Sequence, residues 1–264
     1  MRRDEGGTGL RAIGIIPARL SATRFPGKPM ARIHGMPMVG HCYHRTRLTP
    51  GLAAAYVATC DEEIAEYVRS IGGSAVMTAH SHTRATTRTA EAMDHIEAAT
   101  GERVDVVVMV QGDEPLIRPE TIAETLTHFS DPTVDIVNIM SRLRSYEEFI
   151  DRNTVKVVVN HNSDALYFSR EPIPSPWRGT HDVPMFQQTG IIAFRREALR
   201  RVNAIPETRL EQVESVDMNR VLETGGRVRM VATEAVTIGV DTPAELDAAA
   251  ELIARDPTTA QYLS

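Results

Sequence analysis

The chain has 264 residues, a formal net charge of -6, 42% hydrophobic and 24% charged residues. That balance is ordinary for a soluble globular protein with ample core, and the acidic excess argues against a nucleic-acid binder working by bulk positive charge. No apolar run reaches the ~18 residues that a membrane span needs, so neither nucleic acid nor membrane is an expected partner. The opening MRRDEGGTGLR lacks the apolar segment of a secretory signal. Residues 1–11 therefore read as a flexible tail, and the protein as cytoplasmic. Cys42 and Cys60 read as free thiols in a reducing compartment.

Residues 12–16 (AIGII) form a short apolar run stopped by Pro17, the pattern of a buried parallel strand. A helix is predicted over 38–48 and a strand over 53–59. The next helix runs to Ser70, with Asp61 as its cap and Gly72-Gly73 as its stop. A strand at 74–78, a helix at 86–100 closed by Gly101, and the apolar strand 104–110 (VDVVVMV) follow. That strand leads straight into Gln111-Gly112-Asp113-Glu114-Pro115, ahead of a helix at 119–129. Strands alternating with helices over 12–129 predict βαβ units and a parallel sheet.

The second half is patterned differently. Strands are predicted at 135–140, 155–160 and 165–169, the last two as a hairpin about the turn Asn-His-Asn-Ser-Asp. Residues 171–186 hold Pro172, Pro174, Pro176 and Pro184, which excludes regular structure and suggests a loop around a site or interface. A strand at 190–194, helices at 196–202 and 213–223, a strand at 228–232 and a helix at 242–255 complete the chain. Thr242 or Asp241 caps the last helix and Pro243 sits in its first turn. No repeat, low-complexity segment or clean linker is visible. The fold class is α/β, with residues 12–264 a single domain that carries an antiparallel lobe around 135–195.

Three stretches carry chemistry. The first is RLSATRFPGKP, residues 19–29, directly after the first strand. In open α/β sheets ligands sit beyond the carboxyl ends of the strands. There Arg19 and Arg24 can grip phosphate oxygens, Lys28 adds a point charge, and Pro26 and Pro29 stiffen the loop. Gly27-Lys28 is followed by proline, and neither the Walker A spacing nor G-x-G-x-x-G is present. The second stretch is QGDEP, where Asp113 can bind a hard cation that favours one or two carboxylates plus phosphate oxygens. The third is IGVDTPAEL, where Asp241 follows an apolar stretch. Each aspartate alone is also explained as a helix cap. Together with the cationic loop they suggest metal-assisted phosphoryl or nucleotidyl transfer. His80 and His82 lack a third partner in the sequence and make no zinc site, and Trp177 suits a dimer contact or a pocket wall equally.

The segments IIPARLSATRFPGKPMARIHGMPMVGHCYHRTR, VATCDEEIAEYVRSIGG, VQGDEPLI, VKVVV with ALYFSREPIP, and GVDTPAEL occur in this order over residues 12–255. In them the chain resembles the CMP-Kdo synthetases, the 3-deoxy-manno-octulosonate cytidylyltransferases. The resemblance implies a nucleotide-diphospho-sugar transferase fold, a mixed sheet with a smaller lobe, and a homodimer. It implies CTP plus an acidic acceptor giving a CMP conjugate and pyrophosphate, with Mg²⁺. By the same resemblance Arg19, Ser21, Arg24 and Lys28 hold the triphosphate, and Gln111, Ala85 and Arg88 lie on the nucleotide side. Asp113 and Asp241 bind the metal, with Arg19, Lys28 and both aspartates as the catalytic set. Tyr167, Ser169 and Arg170 lie near the acceptor, joined by Arg84, Gln188 and Asp217.

The chain departs from that family in places. The family's Gln-Ser-Gly-Thr-Glu-Arg appears as Thr83-Arg84-Ala85-Thr86-Thr87-Arg88. Its His-Leu-Gly-Ile-Tyr appears as Gln188-Thr189-Gly190-Ile191-Ile192, without the histidine, and its Glu-Gln-Leu-Arg as Asp217-Met218-Asn219-Arg220. These changes fall on the acceptor side, where a site built for sugar hydroxyls loses affinity steeply as partners are removed. The expectation is therefore a smaller, more anionic acceptor, with phosphonoformate as the leading candidate and Kdo as the alternative. Two other readings are a nucleotide-binding regulator without turnover and a nucleotidyltransferase for a sugar 1-phosphate.

Overall fold

The computed structural model describes residues 9–21, 25–177, 179, 183–235 and 238–263. Most of the predicted tail, residues 1–8, lies outside them, as does Arg24. The first half runs β1 (Ala12–Pro17), β2 (Arg32–Ile33), β3 (Met36–Pro37), α1 (Met38–Arg47), β4 (Leu52–Thr59), α2 (Glu62–Ser70) and β5 (Ala75–Met77). It continues through α3 (Ala85–Thr100), β6 (Val106–Val110) and α4 (Pro119–Thr127). The second half holds β7 (Ile136–Arg142), α5 (Tyr146–Ile150), β8 (Lys156–Val159), β9 (Ala165–Ser169) and β10 (Phe186–Arg195). It ends with α6 (Arg196–Ala204), α7 (Arg209–Glu214), α8 (Met218–Glu223), β11 (Arg229–Thr233) and α9 (Pro243–Ile253).

The main sheet has the order β11-β7-β10-β6-β1-β4-β5. β1 pairs parallel with β4 and β6, and β4 with β5. These are the predicted βαβ units. β10 then enters antiparallel between β6 and β7, making the sheet mixed. The β8–β9 hairpin branches from β10 through Gln187 and Lys156, and β2–β3 form a small antiparallel sheet apart. No helix among the described residues is long and apolar enough to cross a membrane.

The central strands are buried on both faces because helices cover both. Val107 and Met109 pack into one core with Ile13, Ile15, Met93 and Phe194. Val106, Val108 and Val110 pack into the opposite core with Ile16, Val39, Ile64 and Ile122. The period of two that splits one strand between two cores is the pleat itself. A third cluster of Ile33, Met38, Leu116, Val240, Ala249 and Ile253 joins α9 to α1 and to the turn after β6. Two glycines allow the strand ends to converge: a Cβ on Gly112 would sit 3.0 Å from the Pro17 carbonyl oxygen, and one on Gly190 only 2.8 Å from Gln111 Cβ.

Two local expectations are corrected. Residues 213–223 are not one helix: α7 ends at Ser215, at φ 53°, and α8 begins at Met218. The break frees the Glu214 carboxylate to reach the β9 hairpin. Asp61 makes no capping bond to α2; its carboxylate accepts the Leu20 amide at 2.8 Å and braces the cationic loop. Thr242, by contrast, caps α9 in a reciprocal box with Glu245.

Candidate active site

Two adjoining clefts of about 300 Å³ and 510 Å³ open where β1 and β6 end, and they share Arg84, Ala85, Gln111, Asp113 and Asp241. The smaller is walled by the cationic loop with Arg19 and Lys28, and by the start of α3 with His82, Ala85 and Arg88. The loop descends into a left-handed turn at Gly27, at φ 70°, before the one-turn helix that starts at Lys28. Arg19 Nη1 donates to the His82 carbonyl at 3.3 Å, closing the cleft mouth.

Asp113 and Asp241 are 128 residues apart in the chain and meet. The Val240 amide donates to the Asp113 carbonyl at 2.9 Å, which ties the two loops together through their backbones. Their carboxylates converge on one cation, the Lys28 ammonium, at 2.7 Å from Asp113 Oδ2 and 2.9 Å from Asp241 Oδ1. Burial works against the charge on Lys28, but the two carboxylates outweigh it and hold the ammonium above the ordinary lysine value. Among the described residues no group of three or more His, Cys, Asp or Glu side chains could hold a metal ion. A pair of carboxylates beside phosphate oxygens is nevertheless the donor set Mg²⁺ takes, and the ammonium marks the point on which they converge.

Beside this pair, Glu114 is buried and its Oε1 accepts the Gly190 amide at 2.9 Å. Its Oε2 has no partner among the described residues. Burial pushes this carboxyl up to about 7, with Asp113 adding to the shift and the Gly190 amide opposing it. In the smaller cleft Arg88 is 2% exposed; Nη1 donates to Thr78 Oγ1, and Nη2 has no partner among the described residues. A buried guanidinium with an open donor on a cleft wall is a ligand-directed group.

The larger cleft is lined by Asn153, Thr154, Arg170, Gln187, Gln188 and Ser215 among others. Of the residues expected near the acceptor, Arg84, Arg170, Gln188 and Asp217 line it. Tyr167 and Ser169 do not: their hydroxyls donate to Glu214 Oε1 at 3.0 and 2.8 Å, because the hairpin turns them towards α7. Arg84 lies 3.5 Å from Glu207 and 4.0 Å from Glu211, and Arg170 donates through Nε to the Glu214 carbonyl at 2.7 Å. Gln188 Nε2 donates to Asn138 Oδ1 at 2.7 Å. Asp217 accepts Thr86 Oγ1 at 3.0 Å, and burial raises its pKa. Ser21 is exposed and lines neither cleft. Both cysteines are free and buried, and Trp177 is 87% exposed.

A family model described as cytidylyltransferase matches residues 13–233. The 3-deoxy-manno-octulosonate cytidylyltransferase of Geobacter metallireducens is 40% identical, over 93% of this chain and 99% of that protein. The chain belongs to the cytidylyltransferase family. It is thus a nucleotidyltransferase. A solved structure of CMP:2-keto-3-deoxy-manno-octonic acid synthetase complexed with CTP superposes with a TM-score of 0.84 at 37% identity, covering 93% of this chain and 99% of that one. A glucose-1-phosphate thymidylyltransferase of Bacillus anthracis shares the fold alone, with a TM-score of 0.64 at 15% identity over 93% and 96% of the two chains.

Within this cytidylyltransferase, sequence reasoning missed three groups. Glu114 lay in plain sight beside Asp113, where a second acid before proline signals more than a cap. Lys156, fully buried, was hidden in an apolar strand, and Glu214 in an apparent helix. A charge inside a β-rich run was the available signal for Lys156.

Proposed function

We propose that this cytidylyltransferase takes CTP as donor and 3-deoxy-manno-octulosonate as acceptor, giving the CMP conjugate and pyrophosphate. One observation carries the acceptor: a cleft of about 510 Å³, continuous with the Asp113/Asp241 pair and lined by neutral amides and hydroxyls such as Asn153, Gln187, Thr154 and Ser215. Such groups hydrogen-bond a polyhydroxylated acid. The relatives' names favour the same acceptor. Both substrates are soluble metabolites, which suits a cytoplasmic enzyme; by family likeness it is a homodimer, which light scattering in solution tests.

In this reading Arg19, Lys28 and the loop amides hold the triphosphate, with Arg24 expected to join them. Gln111, Ala85 and Arg88 face the nucleoside. The acceptor oxyanion attacks the α-phosphorus in line, the new P–O bond forms, and the bond to the β-phosphate oxygen breaks. Lys28 and Arg19 stabilise the departing pyrophosphate, and holding two anions in line is the main task. Asp113 and Asp241 would hold Mg²⁺, which supplies charge neutralisation at the α-phosphate. No protein nucleophile is required.

A second reading has a small phosphonate carboxylate, phosphonoformate above all, as acceptor. Two positions favour it. Gln188 stands where the family pattern has histidine, with its amide nitrogen committed to Asn138. Met218 stands where the pattern has glutamine and is wholly buried. Against it, Arg84 and Arg170, the cations that would meet a dianion, are already engaged by Glu207, Glu211 and Glu214. Pyrophosphate release from CTP and Mg²⁺ with Kdo, phosphonoformate and a sugar 1-phosphate, each as sole acceptor, separates the readings. Turnover with phosphonoformate and not with Kdo would overturn the first. No release with any acceptor, despite CTP binding, would favour the regulator.

A further inference from the structure

One wall of the larger cleft is held from behind by groups that do not face it. Lys156 is 0% exposed, although a lysine is almost never fully buried without a specific reason. Its ammonium donates to three carbonyl oxygens, of Asp151 at 2.7 Å, Thr154 at 2.6 Å and Arg170 at 2.6 Å. Three donors meet three acceptors, so the buried charge is fully satisfied. Those carbonyls belong to residues whose other atoms line the cleft. Glu214 grips the same wall from the other side. Its carboxylate accepts Tyr167 Oη, Ser169 Oγ and the Arg170 amide, and its carbonyl accepts Arg170 Nε. Arg170 Nη1 in turn donates to the Arg152 carbonyl at 2.9 Å and the Asn153 carbonyl at 3.4 Å. Neither Lys156 nor Glu214 is among the residues lining the cleft.

We propose that Lys156 and Glu214 are positioning residues for the acceptor, fixing the 151–154 loop and Arg170 as one rigid wall. This rests on the reading of the larger cleft as the acceptor site. The 151–154 segment is a turn outside the sheet ladder, closed on itself by the Thr154 amide on the Asp151 carbonyl and the Asn153 amide on the Asp151 carboxylate, and Lys156 is what ties that turn to the Arg170 carbonyl across the wall. Converging the three carbonyls on one ammonium fixes the backbone that carries the cleft-lining residues Asn153 and Thr154. The glutamate does the same for Arg170, aiming its guanidinium along the wall. Both clamps lie away from the cationic loop, so they act on one substrate and not on the other.

The test is steady-state kinetics with the acceptor and CTP varied separately, using Kdo, or phosphonoformate if that is the acceptor turned over. Lys156→Met removes the donor shared by the Asp151, Thr154 and Arg170 carbonyls, and the acceptor KM is expected to rise about tenfold or more, in line with the loss of a charge-assisted contact. Glu214→Gln, which keeps the shape, should raise it about threefold on the same ground. In both, the CTP KM and the affinity for CTP by calorimetry should hold within about twofold, on the same scale. Asn153→Ala is the lining control. A rise in acceptor KM with Asn153→Ala but not with Lys156→Met or Glu214→Gln overturns the proposal and leaves the acceptor site standing. No rise with any of the three overturns the acceptor site and the proposal with it. An equal rise in both KM values overturns the proposal, because it marks general loosening. If Lys156→Met fails to fold, Glu214→Gln decides.

Discussion

Replacing Lys28 by methionine should tighten divalent metal binding in the absence of nucleotide, while it weakens turnover. The Lys28 ammonium occupies the point between Asp113 and Asp241, at 2.7 and 2.9 Å. The side chains are 13%, 25% and 30% exposed respectively, so the contacts are only partly screened. A net charge-assisted hydrogen bond is worth roughly 1.5–3 kcal/mol. A divalent cation entering between the carboxylates must release at least one of them, and without triphosphate the ammonium gains no replacement partner. The wild type therefore loses at least about 1.5 kcal/mol of metal affinity, roughly tenfold or more. Titration of nucleotide-free protein with Mn²⁺, followed by calorimetry or by the free-ion electron paramagnetic resonance signal, reads this directly. Lys28→Met should bind Mn²⁺ about tenfold more tightly than wild type on that estimate, and Asp241→Asn should lose binding in either background. Equal or weaker Mn²⁺ affinity in Lys28→Met would refute the reasoning, since it would mean that the carboxylates do not converge on a shared cation position.

Other consequences are independent of that pair. His41 is wholly buried and donates Nε2–H to the Ile33 carbonyl, since that oxygen can only accept, while Nδ1 accepts from Tyr262 Oη. Burial lowers its pKa to about 4, with Arg45 adding to the shift and the Ile33 bond opposing it. The unfolded chain thus binds the extra proton between pH 6.5 and about 4, and stability falls as pH drops through that window. About 2 kcal/mol should be lost at pH 5 relative to pH 7.5 on that basis, and urea melts of wild type and His41→Gln at both pH values should show the variant's slope flattened. Arg88→Met should raise the CTP KM about tenfold, as for a lost charged donor, and leave the acceptor KM within about twofold. Gly112→Ala places a methyl 3.0 Å from the Pro17 carbonyl oxygen; urea unfolding should show a loss of about 1–3 kcal/mol, as for an overpacked core.

The fold was legible where a single periodicity governed the sequence. β1 and β6 are continuous apolar runs, and they are buried on both faces. Legibility failed where a polar side chain had two possible partners. Asp61 has the identity and the position of a helix cap, yet the Leu20 amide takes its carboxylate. The stretch 213–223 has helical composition, and only the tertiary demand for Glu214 at the hairpin breaks it at Ser215. Propensity is a weak prior against such contacts.

The candidate site divides in the same way. The gathering of Arg19, Lys28, Gln111 and Asp113 around one cleft was readable because they stand just beyond the ends of β1 and β6. The convergence of Asp113 and Asp241 was not readable from spacing and entered only through the family resemblance, since it depends on a backbone bond between segments 127 residues apart, Val240 and Asp113. Around the larger cleft the type of residue did not give the partner. Tyr167, Ser169 and Arg170 have the chemistry of ligands and sit in a conspicuous motif, but Glu214 accepts from all three. Arginines counted as charge for a doubly anionic acceptor are in part neutralised by Glu207 and Glu211. The cations near the larger cleft therefore differ in which of them keep a donor for a ligand. Those donors depend on the carboxylates behind the wall, Glu207, Glu211 and Glu214, which lie on α7 and the segment just before it, ahead of the Asp217-Met218-Asn219-Arg220 stretch and outside the motifs singled out in the sequence.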